Sequence, residues 1–267
     1  MIIESFFRPT TLDEAFAKYM ESPKNQILGG GAWLKLTGSR INTLISLEGL
    51  GLDKIVNTED KVIIGANATL RGIETDAAIK NISGGILSMA MASVMGVTLR
   101  NIATIGGTIM GRYPFSDVIT ALLALDATLV FYSQKNMKIS EYLNQEKPEK
   151  DLLMYVQIDK SPGYGYFHRV ARTSTDFAIV NLAIVKTGNI WRIAVGARPG
   201  IARLCPLAAE ALQKDQNHTK ESLAAVAQMA VRELEFLSNN KASGEYREML
   251  ARTYVERGLE ATCTNAD

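Results

Sequence analysis

An α+β fold is what this sequence predicts, on three observations. Apolar runs of strand length and apolar faces of helical spacing alternate irregularly through the first 150 residues, with no repeating period. The last third reads strands first and helices afterwards, the order of a sheet covered by helices. Hydrophobic residues make up 47% of the chain against 21% charged, enough to build a buried core and to exclude global disorder. At 267 residues there is room for one large domain or two ordinary ones.

The first helix is predicted over 10–20. Thr11 is its cap, Glu14 stands three residues later as in a capping box, and Pro9 precedes it. Leu12, Ala15, Phe16, Tyr19 and Met20 then fall on one face. Residues 25–28 read as a strand running into Gly29-Gly30-Gly31. Residues 43–47 (TLISL) form another, and 61–66 (KVIIGA) a third behind the polar turn 57–60. Helical stretches over 70–80 and 84–95 lead to a second glycine cluster at 104–111. Met89, Met91 and Met95 are read as core. Ser116-Asp117 opens an apolar helix over 118–125, and 127–132 is a strand.

The charged run 144–151 (NQEKPEKD), with Pro148, is read as a solvated loop. The texture changes just beyond it, so the division is placed at 1–158 and 159–267. Three or four strands follow, over 152–158, 164–172, 178–186 and 190–196, the last two joined by a Gly188-Asn189 hairpin turn. Helices are expected over 206–214, 219–237 and 243–260.

Charge and composition exclude several functions. Twenty-nine Lys and Arg against 28 Asp and Glu leave a net charge of +1, so no nucleic-acid or anionic-membrane footprint is expected. No apolar run reaches the roughly 18 residues of a membrane span. Met1-Ile2-Ile3-Glu4 lacks the features of a signal peptide, and the two cysteines, Cys205 and Cys263, lie far apart; a cytoplasmic protein is expected. Two cysteines and two histidines, His168 and His218, make neither a four-thiolate iron–sulfur site nor a CxxC zinc site, so no metal is expected in this chain. There is no GxSxG and no HExxH. Any redox centre must be organic and held mainly by backbone.

The functional signal lies in two glycine-rich stretches, Leu28-Gly29-Gly30-Gly31-Ala32-Trp33-Leu34 and Thr104-Ile105-Gly106-Gly107-Thr108-Ile109. Without a Cβ, backbone amides can converge into a nest that suits phosphate oxygens. The alternative is two tight turns; the pair together favours a dinucleotide embraced from two sides. The Rossmann fingerprint is absent, because Leu34 stands where its third glycine would be and no crossover helix follows, although Glu48 imitates the ribose-binding acid. No P-loop occurs either.

Several motifs together resemble the flavin-binding (medium) subunits of molybdenum hydroxylases of the xanthine dehydrogenase and carbon monoxide dehydrogenase type. They are Phe6-Phe7-Arg8-Pro9 with Leu12-Asp13-Glu14-Ala15, then Leu28-Gly29-Gly30-Gly31, and Arg100-Asn101-Ile102-Ala103-Thr104-Ile105-Gly106-Gly107. Ser116-Asp117 with 121–127 continues the match. Phe167-His168-Arg169-Val170-Ala171-Arg172 with Asp176-Phe177-Ala178 follows, and Tyr246-Arg247 with Arg257-Gly258-Leu259 closes it. The likeness spans essentially the whole chain, and the second glycine stretch is its most specific part.

The resemblance implies a two-lobed FAD-binding domain of the vanillyl-alcohol-oxidase/PCMH type. A smaller domain with a three-stranded antiparallel sheet and helices would follow it. It implies non-covalent FAD, with residues 28–34 and 104–108 on the diphosphate, Asp117 on the ribose side, and His168 approaching the flavin from the second domain. It further implies a heteromeric complex with a molybdenum-binding large subunit and a [2Fe–2S] small subunit, both metal centres outside this chain. Electrons would pass through FAD to NAD or another acceptor.

The sequence departs from the family pattern at Thr108, where the family usually has Asn, and at Ala32-Trp33, where it has a polar pair. Trp33 is read as covering the core, ahead of a platform for adenine or isoalloxazine. No extra cysteine-bearing insertion is present. These departures motivate one other function, a flavin-free structural subunit of such a complex; a stand-alone flavin oxidoreductase of the same two-lobed type is a second alternative. Of the remaining residues, His168 is read as a hydrogen-bonded strand residue or a flavin contact, and His218 as a surface residue at a helix start. Arg247, Arg252 and Arg257 are read as a solvated or partner-facing helix face, and Cys205 has no local base to make it a nucleophile.

Overall fold

The first strand, β1 (Ile2–Phe7), pairs in parallel with β3 (Arg40–Ser46), as does β2 (Gln26–Leu28), giving a small sheet of order β1-β3-β2. This and all that follows comes from a computed structural model, which describes residues 1–36, 38, 40–215 and 217–264. Helix α1 (Leu12–Met20) is the crossover between β1 and β2. Thr11 caps it as predicted, its Oγ1 accepting from Glu14 N at 3.2 Å. The Glu14 carboxylate turns back one residue further than a standard capping box, to Thr10 N at 2.7 Å. Ala15, Ile45, Leu47 and Leu52 form the core of this lobe. Strand β1 was not anticipated, because Ile2, Ile3 and Phe6 are exposed and carry no in/out alternation.

The second lobe is built on a five-stranded antiparallel sheet. Its strands are β4 (Ile55–Asn57), β5 (Lys61–Gly65), β6 (Thr128–Phe131), β7 (Met137–Lys138) and β8 (Leu153–Asp159), in the order β4-β5-β8-β6-β7. Helices α2 (Leu70–Thr75), α3 (Ala77–Lys80), α4 (Ile86–Ala92), α5 (Val97–Arg100), α6 (Ile105–Gly111) and α7 (Asp117–Ala124) precede β6. The short α8 (Ile139–Asn144) follows β7.

Three expectations are corrected here. The single helix over 70–80 is two, because the Asp76 side chain accepts from Ala78 N and Ile79 N (2.9 and 3.1 Å) and starts a new helix. The helix expected from 84 begins at Ile86, since Gly84 and Gly85 both adopt positive φ. Of the three methionines assigned to the core, only Met91 is fully buried; Met89 and Met95 are exposed.

The C-terminal sheet runs β12-β11-β10-β9, all antiparallel: β9 (Gly163–Val170), β10 (Val180–Thr187), β11 (Ile190–Gly196) and the two-residue β12 (Arg203–Leu204). β12 adds a short fourth strand to the three expected. Thr187 pairs with Ile190, so Gly188 and Asn189 form the predicted two-residue turn. Helices α9 (Pro206–Lys214), α10 (Lys220–Arg232) and α11 (Gly244–Thr264) follow.

Strand β10 is apolar on both faces. Val180, Leu182 and Ile184 pack towards Leu212, Val231 and Leu259 of the helices, while Ala183 and Val185 join the second lobe's core. Every residue of α7 is buried, and this helix packs on β10 and β11. Each large apolar side chain so buried contributes roughly 1.5–3 kcal/mol, and this seam joins the two domains. Arg247 is not on a solvated face. It is 1% exposed, and its Nη1 donates to the carbonyls of Ile179 and Ala197, the second at 2.7 Å. Among the described residues no helix is long and apolar enough to cross a membrane.

Candidate functional site

A cavity of about 350 Å³ opens where the two lobes and the C-terminal sheet meet. That volume lies within the range of small-molecule sites. Both glycine stretches reach it: Gly29, Gly31, Ala32, Trp33 and Leu34 from the first, and Thr104, Gly107 and Thr108 from the second.

In the first stretch, Gly30 and Gly31 have φ of +66° and +68°, a backbone that side chains resist. The Gly31 amide donates to Gly29 O at 2.8 Å. The amides of Ala32 and Trp33 meet no acceptor among the described residues. Gly30 faces away from the cavity, so close to Ile102 that a Cβ would lie 1.6 Å from its carbonyl oxygen. Leu28 belongs to β2 and does not line the cavity.

The second stretch is not a loop. It is the first turn of α6, with Thr104 as cap and its Oγ1 accepting from Gly107 N at 3.2 Å. Ile105 is fully buried, and Ile105 N and Gly106 N donate to Ala68 O and Ala66 O (3.1 and 2.8 Å). Neither residue lines the cavity. Thr108 does, with its hydroxyl donating to Thr104 O at 2.9 Å. The two stretches touch: a Cβ on Gly29 would meet Thr104 Oγ1 at 2.7 Å, and one on Gly107 would lie 3.4 Å from Gly29 O.

Trp33 is not a core residue. It stands half-buried in the cavity wall, 5.0 Å from the Tyr113 ring, 5.5 Å from Phe115 and 5.9 Å from Phe177. Of these, Tyr113 and Phe115, between α6 and α7, were missed by sequence reasoning. Their signal was the pair of aromatics flanking Pro114, directly after the second glycine stretch.

Asp117 lies at the cavity wall at 5% exposure, with its carboxylate engaged by the protein. Oδ1 accepts from Asn181 Nδ2 (2.6 Å) and Oδ2 from Ser93 Oγ (3.0 Å), while Arg169 Nε stands 3.1 Å from Oδ2. Burial pushes its carboxyl pKa up, and Asn181, Arg169 and Ser93 oppose that rise. Asn181 Oδ1 in turn accepts from Thr120 Oγ1 at 2.8 Å, so the network ties α7 to β9 and β10.

Arg169 comes to the cavity from β9. Its Nη2 donates to Asp176 O, while Nε is buried without a well-aligned acceptor despite its proximity to Asp117. The neighbouring His168 points to the other face of β9, stacked on Tyr254 at 3.9 Å, and does not reach the cavity. Burial and then Arg257 lower its pKa, which favours the neutral imidazole. Glu48 is also remote, paired on the surface with Arg8 at 3.2 Å. Cys205 is buried, and its thiol pKa is pushed up strongly by burial, as suits an inert core residue.

These residues suit FAD. The cavity offers glycine backbone and unsatisfied amides on one stretch, aromatic faces beside it, and the Arg169 guanidinium in its wall. Among the described residues no cluster of His, Cys, Asp and Glu is arranged to hold a metal ion.

Comparison with known proteins agrees with this chemistry. Residues 3–159 match the family described as FAD binding domain in molybdopterin dehydrogenase, and 165–262 match the CO dehydrogenase flavoprotein C-terminal domain. The chain is 28% identical to the 6-hydroxypseudooxynicotine dehydrogenase complex subunit alpha of Paenarthrobacter nicotinovorans, over 87% of this chain and 84% of that one. It is 23% identical to the xanthine dehydrogenase FAD-binding subunit of Escherichia coli O157:H7, covering 95% and 94%. In structure it is similar to a chain of carbon monoxide dehydrogenase from Hydrogenophaga pseudoflava, with a TM-score of 0.89 and 21% identity over 97% of each chain.

Proposed function

Because this chain belongs to the family of FAD-binding subunits of molybdenum hydroxylases, we propose that it is the electron-transfer flavoprotein of a xanthine dehydrogenase-like complex. The observation that carries this reading is that two glycine stretches 75 residues apart (29 and 104) line one cavity, against which the C-terminal sheet closes. FAD, when bound, accepts electrons singly and releases them in pairs, which suits it to stand between a [2Fe–2S] partner and NAD or another acceptor. In this reading a molybdenum-bearing large subunit and a [2Fe–2S] small subunit complete the assembly, and the chain divides at 158/159. Its two free cysteines suit a reducing compartment such as the cytoplasm.

The chain's own residues bind and orient. The amides of Ala32 and Trp33 would donate to the diphosphate, and Gly107 N could exchange its bond to the Thr104 hydroxyl for one to a phosphate oxygen. Gly29 and Gly31 keep that part of the wall free of side chains. Asp117 contributes by holding Arg169 and Asn181 in place, since its carboxylate oxygens already have protein partners. The chain supplies position and electrostatic surroundings, and no proton-transfer residue is assigned.

A visible spectrum of the purified full-length chain, with mass analysis of what denaturation releases, tests this. A flavin spectrum and released FAD are expected. A protein that stays colourless after FAD is added would be the flavin-free structural subunit. Isolation without molybdenum and iron–sulfur chains would point instead to a stand-alone flavin oxidoreductase.

A further inference from the structure

Arg247 of α11 is the largest fully buried side chain among the described residues, and it does not line the cavity. All its partners are neutral oxygens, drawn from three separate segments. Nη1 donates to Ile179 O and to Ala197 O, the second at 2.7 Å, and Nη2 donates to Asn239 Oδ1 at 2.5 Å. Nε is buried without an acceptor. A guanidinium buried in this way carries a desolvation cost that a carboxylate partner would ordinarily offset.

Each of the three acceptors leads to the cavity wall. Ile179 closely follows Phe177 in the chain. Ala197 N donates to Pro114 O at 3.0 Å, and Pro114 stands between Tyr113 and Phe115. Asn239 Oδ1 also accepts from Lys241 N at 2.9 Å, and Lys241 Nζ pairs with the carboxylate of Asp176, the neighbour of Phe177. Tyr113, Phe115, Asp176 and Phe177 all line the cavity.

Ala197 adds a second irregularity at the same contact. Its φ is +56°, a left-handed backbone that alanine resists. Its N–H is held by Pro114 and its carbonyl by Arg247. A costly burial and a costly backbone therefore meet in one hydrogen bond. Strain of this kind persists where the surrounding structure imposes it, and it collects at functional sites. The planar fork of arginine can serve carbonyls in two directions at once, which a single ammonium cannot.

We infer that Arg247 is a positioning residue for FAD: from outside the cavity it fixes the segments that carry Tyr113, Phe115 and Phe177, and so sets the affinity of the site. The inference rests on the chain being a FAD-binding subunit.

The test uses the full-length chain and two readouts. Trp33 stands 5.0–5.9 Å from Tyr113, Phe115 and Phe177, so it reports on both segments, while Trp191 is buried in the C-terminal core. These are the two tryptophans of the chain, and W191F and W33F backgrounds isolate one signal each. In the flavin-depleted protein, R247M should raise acrylamide quenching of Trp33 roughly twofold and leave that of Trp191 unchanged. Its FAD affinity should fall roughly tenfold, with R247K and N239A each losing roughly threefold. N239A carries the test if R247M does not fold. Wild-type FAD affinity in both R247M and N239A overturns the assignment while leaving the flavoprotein reading intact. So does Trp191 opening as far as Trp33, which would make Arg247 a support of the C-terminal core alone. A wild-type chain that binds no FAD removes both.

Discussion

The two glycine stretches look alike on paper and use their glycines differently. In the first, Gly30 and Gly31 take positive φ, so the missing side chain permits a conformation, and at Gly30 a close approach to Ile102 as well. In the second, the glycines are helical, and the missing side chain permits an approach: a Cβ on Gly106 would lie 2.7 Å from Ala66 O. In the first stretch the amides of Ala32 and Trp33 meet no acceptor among the described residues. The second has spent its first-turn amides on Ala66, Ala68 and Thr104. One makes the nest and the other makes the wall against which it is pressed.

Substitution should separate these roles, with Gly30→Ala the most damaging. A left-handed alanine costs roughly 1–2 kcal/mol, and overpacking against Ile102 O adds roughly 1–3 kcal/mol. Urea unfolding should show the loss, together with loss of bound FAD; a fully stable G30A would mean that the first stretch is not seated on Ile102.

Gly106→Ala comes next, at roughly 1–3 kcal/mol from overpacking alone. Ala66→Gly should recover part of it, because Ala66 Cβ is among the atoms met, at 2.9 Å. Strict additivity in that double-mutant cycle would count against the contact.

Gly107→Ala should cost less stability than Gly106→Ala, since its Cβ would press Thr104 Oγ1 at 3.2 Å and Gly29 O at 3.4 Å, which asks for only a small shift, and alanine favours the helix. FAD affinity should nonetheless fall by roughly three- to tenfold, about 1 kcal/mol, readable by equilibrium dialysis. Unchanged affinity would place the diphosphate away from this junction.

The smallest effect concerns Arg100, two residues before Ile102. Arg100 donates to Val94 O, Met95 O and the Glu74 carboxylate (3.0, 2.8 and 2.8 Å). Burial pushes the Glu74 carboxyl up, but hydrogen bonds from Arg71 and Arg100 outweigh it and hold its pKa below the ordinary 4.5. A folded pKa below the unfolded one means that this stabilisation is complete above about pH 4.5 and is lost as pH falls through the folded value. Glu74→Gln should therefore flatten the acid limb of the stability curve. An identical acid limb in thermal melts would show that the ion pair contributes nothing there.

Much of the frame was legible in the residues. Thr11 and Ser116 announced helix starts through their own backbone bonds, and Gly188-Asn189 announced its hairpin, because these signals act within a few residues. Legibility failed where the deciding partner is remote. Arg247 looked like one of three surface arginines until the residue before β10 and the residue after β11 supplied the carbonyls of Ile179 and Ala197. His168 and Arg169 were a single motif in the chain; strand alternation sends one to Tyr254 and the other to the cavity.

By itself, then, the order of residues determined the local elements, the organic character of any redox centre and, through motif resemblance, the family. Tertiary structure alone decided that Trp33 is cavity wall and not core, that Asp117 spends its carboxylate on Ser93, Asn181 and Arg169, and that rings from three distant segments share one cleft. The physical reason is range. Caps and turns are satisfied between near neighbours, whereas a buried carboxylate or a half-buried ring takes its role from whatever long-range packing brings against it.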